Sequence, residues 1–373
     1  MAAKLMNSAL AGSSLKLPVP SNEQLRVLAV IPGDGSGSSF VFARRQVASL
    51  IDVGVDVRPF FLSSRKSVTL LREVLRLRRE IRHFRPHLIH AHYGTVTSFL
   101  CAAVTTLPLV ITFRGSDLND APDVNSLRIG FAHLLSQISC LKSNAIICVS
   151  RQLRERLWWR RGQAVVIPTG VDLALFRPQP KEQARESLGW ERGVPIVVFH
   201  AGPCPRLKGL QFVMAALRVA EEFVGPIRLV NLDGRVPPEM VPTYLNAADC
   251  VALASVNEGS PNIVKEALAC NLPVVSTDVG DVAERLEGVY PSKVVRRDAT
   301  ELGKALADIL REGRTSNGRQ RGKVPSLEDT AKAIRSVYEA VLRRVSSETL
   351  IARPEEQGRP QPLLQHTFQS PEV

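Results

Sequence analysis

No stretch of this chain approaches the ~20 consecutive apolar residues that a membrane-spanning helix requires, and residues 1 to 20 lack the continuous apolar core of a secretory signal. A cytoplasmic protein is the expectation from these two absences. Cys-X-X-Cys pairs are missing as well: Cys101, Cys140, Cys148, Cys204, Cys250 and Cys270 stand apart, most of them in apolar runs. Such usage suits reduced core thiols, so neither a disulfide nor a metal site is expected. Helix-turn-helix, RNP and zinc-finger patterns are also absent, which places a nucleic-acid-binding protein behind other readings. Acid is scarce relative to base, 36 Asp and Glu against 48 Lys and Arg, and the surplus of +12 asks for an anionic partner. A phosphorylated small molecule, an anionic membrane surface and nucleic acid compete for that place, and charge alone does not choose.

What the chain does have is length and rhythm. Its 373 residues, 45% hydrophobic, are enough to bury two cores. Strand-length apolar runs at 25–31, 55–60, 87–92, 109–113, 145–150 and 165–168 alternate with helical segments, and the alternation restarts at 196–200, 227–230, 249–254, 272–276 and 289–295. This is the pattern of parallel doubly wound sheets, so the expected class is α/β with two Rossmann-like parallel-sheet domains, residues 25–178 and 179–345. A cleft between the C-terminal ends of their strands is the expected ligand site. The linker falls near 175–183, where Phe176-Arg177-Pro178-Gln179-Pro180 is punctuated by proline. Residues 1–24 and 346–373 read as a flexible extension and a flexible tail. In the turn Pro32-Gly33-Asp34-Gly35-Ser36-Gly37, Gly37 is a candidate for close approach to a nucleotide, but the spacing is not G-X-G-X-X-G and a flexible loop is an equal reading.

The most informative segment is Glu258-Gly259-Ser260-Pro261-Asn262-Ile263-Val264-Lys265-Glu266, which joins an apolar strand to a helix. Ser260 is a good N-cap and Pro261 suits the first helical position. The amides of Asn262, Ile263 and Val264 are then left without intrahelical acceptors, at the positive end of the helix dipole, and a phosphate is their natural partner. Two glutamates also suggest a glycoside hydrolase. Eight residues of helix, however, separate them by about 12 Å along the axis, against roughly 5 Å for a retaining hydrolase pair. Glu258 and Glu266 are therefore read as hydroxyl-binding carboxylates flanking a phosphate site, one reaching a sugar and the other a ribose.

Taken in order, Val166-Ile167-Pro168-Thr169-Gly170-Val171-Asp172, Lys208-Gly209, the Glu258 segment and Pro273-Val274-Val275-Ser276-Thr277-Asp278-Val279-Gly280-Asp281 resemble the family 4 retaining glycosyltransferases of GT-B fold. The resemblance implies a metal-independent hexosyltransferase without a cofactor, taking a nucleotide sugar as donor and a glycan or lipid-linked acceptor, as in polysaccharide biosynthesis. It further implies that Glu258 contacts donor-sugar hydroxyls, Glu266 the ribose, Lys208 the diphosphate, and amides near Asn262 and Ile263 a phosphate or the sugar. Two departures stand out. Pro203 lies five residues before Lys208, where the family commonly has Arg, and Arg206 is the candidate to supply that charge. Arg114 replaces a frequent His near the reacting sugar, so a base becomes a cation that can only donate. His92, at a strand end beside the cleft, is a further catalytic candidate, and an ordinary structural histidine is the competing reading. A degenerate, non-catalytic homologue that only binds a partner is the alternative function.

A basic helix near 68–85 carries an apolar stripe at 70, 74, 77, 81 and 84, and Trp158-Trp159 lies beside Arg160-Arg161. Both suit peripheral attachment to the inner membrane face; a solvated basic surface is the bland alternative.

Overall fold

The computed structural model describes residues 24–36, 40–63, 67–120, 125–202 and 204–351, so Gly37 and Pro203 lie outside the described residues. The first sheet contains β1 (Leu25–Pro32), β2 (Val55–Leu62), β3 (Leu88–His92), β4 (Leu109–Phe113), β5 (Ala145–Cys148) and β6 (Val165–Val166). Their order is β2-β1-β3-β4-β5-β6 and every pairing is parallel. The crossovers carry α1 (Val41–Asp52), α2 (Ser67–Phe84), α3 (Thr95–Val104), α4 (Ser126–Lys142) and α5 (Arg151–Glu155). Right-handed crossovers put α1, which runs back from β1 to β2, on one face and α2, α3 and α4 on the other. The cores follow suit: Leu77, Leu100 and Cys140 pack with Leu28, Val30 and Ile111, while Ala43, Val47 and Leu50 pack with Val27, Ala29 and Ile31. Burial on both sides is why each strand reads as an unbroken apolar run.

The second sheet holds β7 (Ile196–Phe199), β8 (Arg228–Asn231), β9 (Cys250–Leu253), β10 (Val274–Thr277) and β11 (Lys293–Val295) in the order β11-β10-β9-β7-β8. Around it lie α6 (Lys181–Ser187), α7 (Pro205–Lys208), α8 (Leu210–Val224), α9 (Val241–Ala247), α10 (Asn262–Ala269), α11 (Val282–Leu286), α12 (Ala299–Glu312) and α13 (Gly318–Arg321). The five strands and their parallel pairing repeat the logic of the first domain.

Helix α14 (Leu327–Ile351) departs from the sequence-based layout, which assigned it to the second domain and ended it near 345. It returns to the first domain, where Ala331, Ile334, Tyr338, Val341 and Leu342 share a core with Val27, Ala29 and Leu88. The return is made at Val171, whose amide donates to Pro325 O (2.9 Å) and whose carbonyl accepts from Leu327 N (3.0 Å). Gly170 permits it, since a Cβ there would lie 2.4 Å from Ser326 O. Tyr338 Oη and His90 Nδ1 share a 2.6 Å hydrogen bond in the interior.

Two further expectations change. The apolar stripe of α2 faces inward, with Leu77 and Phe84 buried and Leu70, Val74 and Ile81 packed on the same core. It is not available to a bilayer. The sequence pattern also suggests a helix near 151–160 after β5, but it stops at Glu155, because Leu157 turns into the core and Arg160, at φ 58°, bends the chain back toward α4.

Replacing Tyr338 by Phe leaves the buried His90 ring without that partner. A loss of about 1–3 kcal/mol is expected, read from the urea midpoint.

Candidate functional site

At the start of α10 the cap residue is Pro261 (φ −66°, ψ 118°), and no side chain caps the helix. The amides of Asn262, Ile263 and Val264 have no preceding turn to accept them. Asn262 Oδ1 is buried without a hydrogen-bond partner. Ser260, expected as the cap, is engaged elsewhere: its hydroxyl donates to Asp281 Oδ2 (2.8 Å) and accepts from Lys265 Nζ (2.9 Å). Lys265 is wholly buried and also donates to Thr169 O at 2.9 Å. Burial lowers its pKa to about 8 in spite of the nearby Asp281 carboxylate. Asp281 is held in turn by Arg285 Nε at 2.9 Å. The needs of a buried cation thus override local capping chemistry, and the helix start stays open.

Lys208 closes α7 and is followed by Gly209 at φ 80°. A Cβ on Gly209 would lie 2.2 Å from Ala254 O, which explains the glycine of the Lys-Gly pair. Lys208 Nζ donates to Glu258 Oε1 at 2.6 Å, and Ser255 Oγ donates to the same oxygen at 2.7 Å. His200, just beyond β7, lies beside this pair; burial and then Lys208 lower its pKa, with Glu258 opposing. Glu266 is half-buried on α10, and burial raises it to about 7 against the pull of Arg45, from α1, and Lys265. Arg206 sits at the exposed edge of α7.

The opposite wall comes from the ends of β3 and β4. Arg114 Nη2 donates to Gln46 Oε1 (2.5 Å) and His92 Nδ1 (2.8 Å), Nη1 donates to Thr169 Oγ1 (3.2 Å), and the guanidinium lies over the Phe42 ring at 5.2 Å. Burial lowers Arg114 to about 10, which leaves it cationic at neutral pH. Asp117 holds the loop by accepting from the amides of Gly94 (2.9 Å), Arg114 (3.0 Å) and Gly115 (2.8 Å). A guanidinium only donates, so His92 Nδ1 accepts and the ring proton resides on Nε2, which is buried without an acceptor. Burial above all keeps His92 neutral. His90 is a structural histidine, its two nitrogens taken by Tyr338 and Thr112.

The walls touch. Asn119 Nδ2 donates to Glu258 O (3.0 Å) and Asn257 Nδ2 to Asp120 O (2.8 Å). Between them Gly259 meets the Arg114-Gly115 backbone so closely that a Cβ on Gly259 would fall 2.1 Å from Arg114 O. The structure therefore brings His92 and Arg114 to one side and Lys208, Glu258, Ser260, Pro261, Asn262, Ile263 and Glu266 to the other. Sequence reasoning did not single out Lys265, His200, Arg45 or Asn119. A lysine within the apolar run of α10 was the one visible signal among them.

Two family models match the chain, Glycosyltransferase Family 4 over residues 27–175 and Glycosyl transferases group 1 over residues 213–312. The chain is 31% identical over 245 residues to TuaC of Bacillus subtilis (strain 168), a glycosyltransferase assigned to teichuronic acid biosynthesis, covering 60% of each protein. It is 28% identical over 280 residues to a D-inositol 3-phosphate glycosyltransferase of Nocardia farcinica, covering 63% of this chain and 61% of that one. It thus spans less than two thirds of the length of these curated relatives. Among solved structures, sucrose-phosphate synthase from Thermosynechococcus elongatus superposes with a TM-score of 0.62 at 17% identity, over 88% of this chain and all of that one. Anabaena HepE in complex with UDP-glucose gives a TM-score of 0.59 at 18% identity and the same coverage. At such identities the likeness speaks for the two-sheet fold.

Lys265→Met removes the cation while keeping the length of the side chain. Thr169 O and Ser260 lose their donor, and a loss of at least about 2 kcal/mol is expected in urea unfolding.

Proposed function

We propose that this chain, which matches the Glycosyltransferase Family 4 model over residues 27–175 and the Glycosyl transferases group 1 model over residues 213–312 and has a GT-B fold, moves a sugar from a nucleotide-diphosphate sugar to a glycan or lipid-linked acceptor, with retention and without a metal ion. Breaking the anomeric bond builds positive charge on the sugar and negative charge on the diphosphate, so fixed donors aimed at the leaving group are the main catalytic requirement. The observation that carries the reading is the Lys208–Glu258 pair next to an α10 start that no side chain caps.

In this reading Lys208, Arg206 and the amides of Asn262 and Ile263 take the diphosphate, in the turn shaped by Ser260 and Pro261. Glu258 accepts hydrogen bonds from donor-sugar hydroxyls and Glu266 from the ribose. Without ligand, Lys208 and Glu258 neutralise each other, which lets two charges stand mostly buried. A diphosphate competes for the ammonium and frees the carboxylate for hydroxyl groups. On the facing wall, Arg114 and the Nε2–H of His92 supply donors near the reacting sugar. Neither is a base at neutral pH, so the acceptor's proton passes to the departing diphosphate. The solved HepE complex with UDP-glucose supports a nucleotide sugar as the donor class.

A second reading draws on Arg114, whose guanidinium is already engaged by Gln46, His92 and Thr169. A binding-only homologue would hold a nucleoside diphosphate yet show neither transfer nor hydrolysis with any nucleotide sugar.

Lys208→Ala and Glu266→Ala are each expected to lower transfer at least ~10-fold with the fold intact; full activity in either purified variant removes that role. A thermal-shift screen of nucleoside diphosphates should find one that stabilises by ~2.7 kcal/mol at a hundredfold excess over its Kd. Glu266 is protonated below about 7 and ionised above it. Only the carboxylate accepts two ribose hydroxyls, so nucleotide affinity measured by calorimetry should weaken as pH falls through that value. Glu266→Gln should flatten this dependence.

A further inference from the structure

Helix α4 turns large apolar side chains to solvent along its whole length. Leu127 (84% exposed), Phe131 (62%), Leu134, Ile138 and Leu141 (61%) are all on the surface. At 100° per residue they fall within an arc of about 80°, along about 21 Å of helix. The helix meets its structural obligations with its other side, where Leu135, Ser136, Gln137, Ser139 and Cys140 are buried. Trp158, 59% exposed, borders the stripe. Its amide donates to Gln137 Oε1 (3.0 Å), and Arg160 Nη1 donates to Cys140 O (2.6 Å), which seats this turn on the C-terminal half of α4.

The charges beside the stripe are mostly positive, and the exposed Asp120 before the helix lies 4.0 Å from Arg156. Helix α4 contains no acidic residue, and its exposed cations are Arg128 and Lys142. Residues 151–161 carry five arginines and one glutamate, and Glu155 is already opposed by Arg154 and Arg161.

We propose that this face of the first domain docks on an anionic lipid surface. Single exposed apolar residues are ordinary, but an aligned stripe rimmed by cations and a tryptophan matches a helix lying in the headgroup layer, apolar side inserted and cations on the phosphates. Charge complementarity selects anionic headgroups over zwitterionic ones. Helix α4 follows the loop that carries Arg114, Asp117 and Asn119, so docking through Leu127 and Phe131 sets the mouth of the cleft near the headgroups. Delivery of a lipid-linked acceptor at that point rests on the transfer reading; the docking surface does not.

The test is flotation of the full chain with phosphatidylglycerol-containing vesicles and with phosphatidylcholine vesicles, alongside turnover on a water-soluble acceptor. The protein should float with the anionic vesicles alone. The Leu127→Glu/Phe131→Glu pair, both exposed, should lower binding at least ~10-fold with an unchanged melting temperature. Arg128→Gln/Lys142→Gln should reduce the preference for anionic lipid. Absence of flotation, equal binding by the double Glu variant, or a concentration-dependent dimer that this variant abolishes would each overturn the proposal. Failure of turnover with flotation intact would count against the transfer reading alone.

Discussion

The ammonium of Lys265 sits where no water reaches it, held by a carbonyl from the interdomain segment and a hydroxyl from the loop before its own helix. A cation in such a place must find acceptors or lose its charge, and these come from separate parts of the chain. Thr169 is the hinge of the arrangement. Its carbonyl serves Lys265 of the second domain, while its hydroxyl accepts from Arg114 of the first. Two buried cations from opposite walls are thereby referred to one residue. The open start of α10 is a by-product, because Ser260 cannot satisfy Lys265 and Asp281 and also cap the helix.

Around that hinge the polar groups divide their tasks. His90 and Tyr338 are spent on joining α14 to the first sheet, and Asp117 on shaping the Arg114 loop. Arg114 fixes the tautomer of His92 and leaves one buried N–H with nothing to bond. Unsatisfied groups of this kind are rare in folded interiors, and two of them face the cleft: the Nε2–H of His92 lacks an acceptor on one wall, and Asn262 Oδ1 lacks a donor on the other.

Much of this was legible in the chain. Strands buried on both faces announce themselves as apolar runs, and the Glu258 segment carries its turn chemistry locally, so the sheets and the strand-to-helix loop at Glu258 were placed from pattern alone. The illegible parts share a cause: each depends on partners far away in sequence. The apolar stripe of α14 says that the helix has a core side but not which of two similar cores it joins; the Val171 pairing and Tyr338 decide that. Likewise the stripe of α2 suits a protein core as well as a bilayer. Lys265 defied the rule that lysines stay at the surface, since its acceptors lie on Thr169 and Ser260. The early stop of α5 turned on Arg160, whose guanidinium bonds the last carbonyls of α4.

Where the two walls meet, Gly115, Gly259 and Gly280 lie against one another with no room for a Cβ at Gly259 and little at Gly280. The separation of the two walls there is set by the thickness of peptide planes, which no exchange of neighbouring side chains can alter. Specificity can therefore drift through the surrounding residues while the gauge of the gap stays constant, much as a lock can be re-keyed without moving its bolt.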